Sequence, residues 1–180
     1  MKGLTIISDQ QVVVWGDYNS TGWEPASIIA DSHFLLSNNW RDFFSELPAS
    51  GPNWTYWRRG SNTTVNAAVL SGMKRTGNAN GPAGRDIGNP GGGVINIFRF
   101  NEHFRSAGGS NNQVFTYKGS FVSLGPTRHT QSGWGPFNYY SAPNRTWAYD
   151  DRFNDPNQLP PMTPAFVYLR QELFVRNFDL

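Results

Sequence analysis

The apolar positions of this chain occur in short runs separated by polar corners, and the first two runs repeat one another. Residues 6–18 (IISDQQVVVWGDY) align with residues 28–40 (IIADSHFLLSNNW) at an offset of 22 residues. A period between roughly 20 and 50 residues is typical of stacked repeats, whose neighbouring rungs share one continuous core. Paired strands with Gly or Asn corners favour a parallel β-helix over leucine-rich repeats, because the L-x-x-L-x-L spacing is missing. The alignment matches Ile6 with Ile28 and Val13 with Leu35.

Later runs extend the same pattern, since they are rich in β-branched and aromatic residues and are bounded by Gly, Pro or Asn. Two segments fit short helices: residues 38–47, with Asn39 as a cap, and residues 96–104, which also fit a strand. We therefore predict an all-β fold, an irregular right-handed parallel β-helix (solenoid) with long loops and one or two short helices. We expect a single β-solenoid domain over residues 1–180. Strands are predicted near 3–8, 11–18, 26–31, 33–38, 63–71 and 114–124.

The composition supports a turn-rich β protein and excludes several functional classes. The chain has 19 Gly, 12 Pro and 15% aromatic residues but only 16% charged residues, which is unlike a protein of long amphipathic helices. Its 15 basic and 13 acidic residues give a net charge of +2, so no nucleic-acid surface is predicted. No apolar run is long enough for a membrane span and no signal peptide is apparent. The absence of Cys excludes disulfides and thiolate metal sites.

Several blocks of sequence carry a resemblance to a known family. The chain resembles the C-terminal domain of PilX-like, type IV pilus-associated bacterial proteins, and it is similar in the same blocks to cyanobacterial hormogonium polysaccharide biosynthesis proteins. The resemblance implies an extracellular or cell-surface location beside a pilus. The prepilin helix of the family is missing, which predicts an excised domain; Ala142 replaces a second proline, and GNPGGGVIN (88–96) replaces a more aromatic, acidic stretch. The similar blocks are GLTIISDQQVVVWGDYN (3–19), SNNWRD (37–42), TTVNAAVLSG (63–72), FTYKGSFVSL (115–124) and YYSAPNRTWAYDDRFNDPNQLPPMTP (139–164).

Asp150, Asp151 and Asp155 lie within six residues of one another, in a chain with only 13 acidic residues. Three interpretations stay open. The acids cap turn amides and pair with Arg145 or Arg152, so that the stretch is a clamp; they gather oxygens around a calcium ion; or they act as catalytic carboxylates. Calcium is the candidate cofactor. The metal ligands would be Asp150, Asp151, Asn154 and Asp155.

Recognised catalytic motifs are missing, because the chain has no G-x-S-x-G elbow, no P-loop and no H-E-x-x-H. Among the three His residues, His129 lies beside Arg128 and is the candidate general base. His33 aligns with Gln11 in the repeat, which predicts an exposed corner.

An aromatic and basic cluster in NWTYWRRG (53–60) is the candidate binding surface. Trp54 and Tyr56 alternate along one side of an extended segment, so the segment either forms a platform for sugar rings and protein side chains or anchors its own loop. The predicted binding residues are Trp54, Tyr56, Trp57 and Arg58.

Two functions follow from these features. In the first, the chain is a non-catalytic surface and recognition module of a pilus-associated extracellular protein, whose partner is a protein or glycan surface such as a pilin subunit. In the second, it is a secreted calcium-assisted hydrolase of a small ester or lactone, in which His129 and Asp151 are catalytic. No nucleic-acid partner is expected.

Overall fold

The computed structural model describes residues 2–45, 58–72, 98–104, 112–124 and 142–164. Within these ranges the chain is mostly β-sheet, with eight strands and three short 3₁₀ helices. No helix in these ranges is long and apolar enough to cross a membrane. The strands are β1 (Leu4–Ile7), β2 (Gln11–Trp15), β3 (Ala26–Ile29), β4 (Ser32–Leu36), β5 (Thr63–Ser71), β6 (Arg99–Phe100), β7 (Val114–Ser123) and β8 (Asn144–Tyr149); the 3₁₀ helices are Asp42–Ser45, Asp151–Asn154 and Pro156–Gln158.

The strands form two sheets in which every pair of neighbours is parallel. The first sheet has the order β1-β3-β5-β7-β8 and the second has the order β2-β4-β6. From β1 to β7, consecutive strands alternate between the two sheets, so the corner after β1 and the corner after β3 each carry the chain across. Parallel neighbours require such excursions, because a tight hairpin joins only antiparallel strands.

The core lies between the two sheets and is largely aromatic. Strand β5 has one face in this core. Its nine residues alternate between buried and half-buried positions, as expected for such a strand. Phe98 is 1% exposed, and its ring lies 5.6 Å from Phe115 and 5.0 Å from Tyr117, both in edge-to-face arrangements that aromatic pairs prefer. The main cluster comprises Leu35, Val65, Val69, Phe98, Phe100, Phe104, Phe115 and Tyr117.

Tyr117 and Gly119 show how tightly β7 packs on β5. The Tyr117 hydroxyl lies 2.8 Å from the carbonyl oxygens of both Ala67 and Ser120, so the core satisfies its polar end. Burial raises the pKa of Tyr117. A Cβ atom on Gly119 would lie only 1.9 Å from the Ala67 oxygen and 2.8 Å from the Tyr117 oxygen. Only glycine fits this position.

A buried carboxylate holds the end of β4. Glu102 is 2% exposed, and its two oxygens accept hydrogen bonds from the Ser37 backbone N–H at 2.7 Å and from the Ser37 hydroxyl. The Ser37 hydroxyl oxygen in turn accepts from the backbone N–H of Ser61 at 3.0 Å. Burial raises the pKa of Glu102, and the two hydrogen bonds from Ser37 act against that rise.

The predicted solenoid is wrong. The described residues form two parallel sheets of unequal size, and no closed sheet or solenoid is detected among them. The pairing of Ile6 with Ile28 is present, but the period does not continue. Ile28 pairs with Val69 and Val69 pairs with Phe121, at separations of 41 and 52 residues instead of 22. A solenoid is built from stacked repeats of similar length. The separations between paired strands of this protein differ too much to form such repeats.

The predicted strand positions agree with β1–β5 and β7 to within a few residues, whereas the helices differ. Residues 38–47 contain only the 3₁₀ turn Asp42–Ser45 in their described part. Residues 96–104 supply strand β6 at Arg99–Phe100, the strand alternative for this segment. The prediction did not include β8.

The predicted exposure of His33 is also wrong, because the second sheet is shifted by one residue relative to the repeat. Val13 pairs with Phe34 instead of Leu35, and His33 pairs with Val12, whose side chain faces the core. His33 is 1% exposed and packs edge-on against Phe98. No well-formed hydrogen bond reaches either ring nitrogen, but the Ile28 backbone lies close enough to favour the charged form weakly.

Candidate functional site

The acidic stretch after β8 is a set of hydrogen-bonded turns. The Asp150 side chain is fully buried, and its two oxygens accept hydrogen bonds from Nε and Nη2 of Arg152 at 2.7 and 2.8 Å. It also caps the 3₁₀ helix Asp151–Asn154 by accepting from the Arg152 backbone N–H. Burial raises the pKa of Asp150, but the hydrogen bonds and charge of Arg152, helped by the charge of Lys118, outweigh burial and hold the pKa below its ordinary value.

Asp155 has the same capping role one turn later. One of its oxygens accepts from the backbone N–H of Asn157 at 2.9 Å, and the other accepts from the side-chain amide of Gln158 at 3.1 Å. The hydrogen bonds from Asn157 and Gln158 hold the pKa of Asp155 below its usual range. Asp155 also precedes Pro156, which starts the second 3₁₀ helix. The two acids therefore act as turn caps, as the clamp interpretation expects.

The predicted calcium ligands do not converge. Asp150 and Asp155 direct their oxygens to neighbouring groups of the turns, Asp151 is exposed, and Asn154 accepts from the Tyr149 hydroxyl at 3.3 Å. Across the part of the chain that the structure describes, no group of three or more His, Cys, Asp or Glu side chains has the geometry to hold a metal ion.

Aromatic rings fix this turn to the rest of the molecule. The Arg152 guanidinium lies 3.8 Å from the ring centroid of Trp23, so a cation–π contact joins the turn to the segment before β3. Phe153 is buried between Trp23 and Tyr149, with ring centroids at 6.2 and 6.4 Å. We refer to residues 150–158 as the clamp.

The clamp leads into residues 159–164, which we call the roof. The carbonyl oxygen of Pro161 accepts a hydrogen bond from the Thr5 hydroxyl of β1 at 2.5 Å, so the chain returns from β8 at one edge of the first sheet to β1 at the other. A turn from Pro160 to Thr163 shapes the roof, and its third residue, Met162, has a φ of 66°. Such a φ usually requires Gly or Asn, so this backbone is strained.

Beneath the roof, two rows of side chains cross the outward face of the first sheet. Both rows are fixed by the register of the parallel strands, because residues paired across neighbouring strands lie side by side on one face. The small row consists of Thr5, Ser27, Ala68 and Ser120, and the aliphatic row consists of Ile7, Ile29, Leu70 and Val122.

The rows and the roof enclose an apolar groove with a cavity volume of about 360 Å³. All eight residues of the two rows line it, together with the roof, Tyr149 at the end of β8 and Phe153 of the clamp. None of the described lining residues is charged. The Ser27 hydroxyl donates to the Thr5 hydroxyl at 3.0 Å, and Thr5 donates to the roof, so these polar groups are already partnered. This groove is the candidate functional site, since ligand sites are usually concave, mostly apolar and about 300 Å³ or larger.

This site was not predicted, although the sequence carries a signal for it. Four strands contain a small residue and an aliphatic residue two positions apart: TII at 5–7, SII at 27–29, AVL at 68–70 and SFV at 120–122. The middle residue of each triplet points to the other face of the sheet. Once the register of the strands is known, aligning these triplets places the two rows side by side.

Of the sequence-predicted binding and catalytic residues, the structure describes Arg58 and Asp151. Trp54, Tyr56, Trp57 and His129 lie outside the described residues. Arg58 is half-buried, its guanidinium lies 5.9 Å from the Trp40 ring, and burial lowers its pKa. Its carbonyl oxygen accepts from the His103 backbone N–H at 2.7 Å. Arg58 therefore belongs to the packing beside β6.

No known protein family, curated protein or solved structure matches the chain significantly. The resemblance to pilus-associated proteins therefore remains a prediction from the sequence blocks.

Proposed function

We propose that the chain is a non-catalytic recognition module that binds an apolar ligand group in the groove between the first sheet and the roof. The setting proposed for it is that of the proteins its sequence blocks resemble, the bacterial cell surface beside a pilus. The observation that carries the proposal is the groove itself: an uncharged, partly enclosed site of about 360 Å³ on a rigid sheet.

The clamp supports binding without chemistry. Two of its three acids are committed to structural hydrogen bonds within the turns that lead into the roof. Side chains that shape a site through fixed turns give selectivity of fit. The apolar lining favours an apolar ligand over a glycan, because sugar hydroxyls would lose their water without finding partners.

A pair of matched variants tests the proposal. Val122 and Val13 are 47% and 48% exposed, but only Val122 lines the groove. An uncharged, linear fluorescent probe, diphenylhexatriene, should bind the full chain at one saturable site. Val122→Glu should weaken that binding at least about fivefold, since a charge would enter an apolar lining, whereas Val13→Glu should leave it unchanged.

Two results would contradict the proposal. One is equal loss of probe binding in both variants, which would place the probe elsewhere or show general unfolding. The other is sustained turnover of ester or lactone substrates that Asp151→Ala abolishes, which would make the chain a hydrolase.

A further inference from the structure

We propose that the groove accepts the unbranched aliphatic tail of a soluble single-chain lipid, lying along the small row across the strands. This inference rests on the proposed function and names its ligand. It follows from the shape of the floor, from the hydrogen bonding of the strands beneath it and from the uncharged lining.

The floor has the shape of a narrow furrow. Thr5, Ser27, Ala68 and Ser120 are in register on four neighbouring strands, so the small row spans three strand spacings, or roughly 14 Å. The aliphatic row runs parallel to it, two residues further along each strand, with bulkier side chains. A floor of two rows, with small side chains along one row and bulkier side chains along the other, suits a linear chain lying on the small row better than a fused ring system.

The backbone beneath the furrow argues against a peptide ligand. Strands β3, β5 and β7 are interior strands with a parallel neighbour on each side, so their backbone donors and acceptors are directed within the sheet. The roof contributes Pro160, Pro161 and Pro164 to the lining, and proline has no backbone N–H to offer. A peptide buried here would leave its own amides without partners, at a cost that a hydrocarbon tail avoids.

The lining also places the polar end of the ligand outside the groove. No charged side chain is found among its described residues, and the hydroxyls of Thr5 and Ser27 are engaged with each other and with Pro161. Tyr149 and Thr163 of the lining also donate their hydroxyls to protein acceptors, and the single hydroxyl of Ser120 cannot balance a charge. A carboxylate head group therefore remains in water, while the tail is buried.

Calorimetric titration of the full chain with straight-chain fatty acids below their micelle concentrations tests this inference. Affinity should rise about fourfold per added methylene, the factor expected for full burial of one CH₂, and level off once the tail exceeds the length of the row. Adamantane carboxylate, a bulky cage compound, should bind at least tenfold more weakly than the straight-chain acid with the same number of carbons.

Ala68→Phe should block the tail by filling the small row, while Ala148→Phe is the matched control, because Ala148 is exposed on the same sheet and does not line the groove. If Ala68→Phe does not fold, Ser120→Leu fills the row from β7 and should have the same effect.

The outcomes separate this inference from the proposed function. Binding of the fluorescent probe that Val122→Glu weakens, without any dependence of fatty-acid affinity on chain length, would overturn the ligand and leave the binding module standing. Binding to phospholipid vesicles but not to monomeric fatty acids would also overturn it. If neither the fluorescent probe nor the fatty acids bind, the groove is not a binding site.

Discussion

At the scale of single residues, His33 makes the stability of the protein depend on pH. Burial lowers the pKa of His33 to about 4, against a weaker opposing effect of the Ile28 backbone. The unfolded chain therefore takes up a proton near pH 6.5 and the folded protein only near pH 4, so the stability due to neutral His33 is lost as pH falls across this window. The full loss in the free energy of unfolding across this window is about 3 kcal/mol.

His33→Leu should flatten this dependence, because leucine has no proton to gain. We expect the free energy of unfolding of the original protein to fall relative to that of the variant between pH 7 and pH 4, as measured by urea titration. Glu102 acts in the opposite direction, since its raised pKa means that its contribution is lost as pH rises. Parallel curves for the two proteins would show that His33 is not the group responsible.

Gly119 gives a second prediction at this scale. Gly119→Ala would place a methyl group against the Ala67 carbonyl and the Tyr117 hydroxyl, and neither can move without disturbing the β5–β7 pairing. We expect a loss of roughly 3 kcal/mol in denaturant unfolding. Gly22→Ala is the control: it has a positive φ but no atom within 4 Å of the added Cβ, so only the backbone cost of about 1 kcal/mol applies. Similar losses at the two sites would show that the contact with β5 is unimportant.

At the scale of elements, the clamp is held in place by an ion pair and by a cluster of aromatic rings in tilted and edge-on contact. Arg152 and Arg145 each lie over a tryptophan ring, Trp23 and Trp147 respectively. Among the described residues, only Arg152 of this pair is bound in a bidentate manner by a buried carboxylate. Lysine cannot reproduce that two-bond geometry. Arg152→Lys should therefore cost about 1–2 kcal/mol of stability and weaken ligand binding, whereas Arg145→Lys should cost less than about 0.5 kcal/mol.

Thermal unfolding and probe titration of the two variants check this prediction. If Arg152→Lys destabilises the protein without changing ligand affinity, the clamp supports the fold but does not position the roof.

The strands of this protein could be predicted from sequence better than the site. The 22-residue repeat and the runs of β-branched and aromatic residues bounded by turn residues located β1–β5 and β7. They could not locate β8, since all six of its residues are exposed at a sheet edge and no apolar pattern marks it. The clamp was predicted as one of three alternatives from its acids, prolines and rings, whereas the choice among them depended on Arg152 reaching back to Asp150.

At the scale of the whole molecule, the sequence could not show how the strands are distributed. One clear repeat suggested uniform rungs, but the number of residues between paired strands is set by the insertions and not by the core pattern. The groove was missed for a related reason. Its two rows come from strands far apart in sequence, and their contact depends on register, which a slip of one residue would reverse.

The parallel pairing has a consequence for how fast the protein folds. Ile28, Val69 and Phe121 are neighbours across β3, β5 and β7, yet long stretches of chain separate them. Each pairing therefore closes a large loop, and the entropic cost of closing it comes before the stabilising contacts form. Proteins dominated by such non-local contacts fold in milliseconds to seconds, far more slowly than helical proteins of similar stability. Until β7 pairs with β5, the small row lacks Ser120 and the groove beneath the roof is incomplete. The groove therefore forms late, and its capacity to bind ligand should report the last stage of folding.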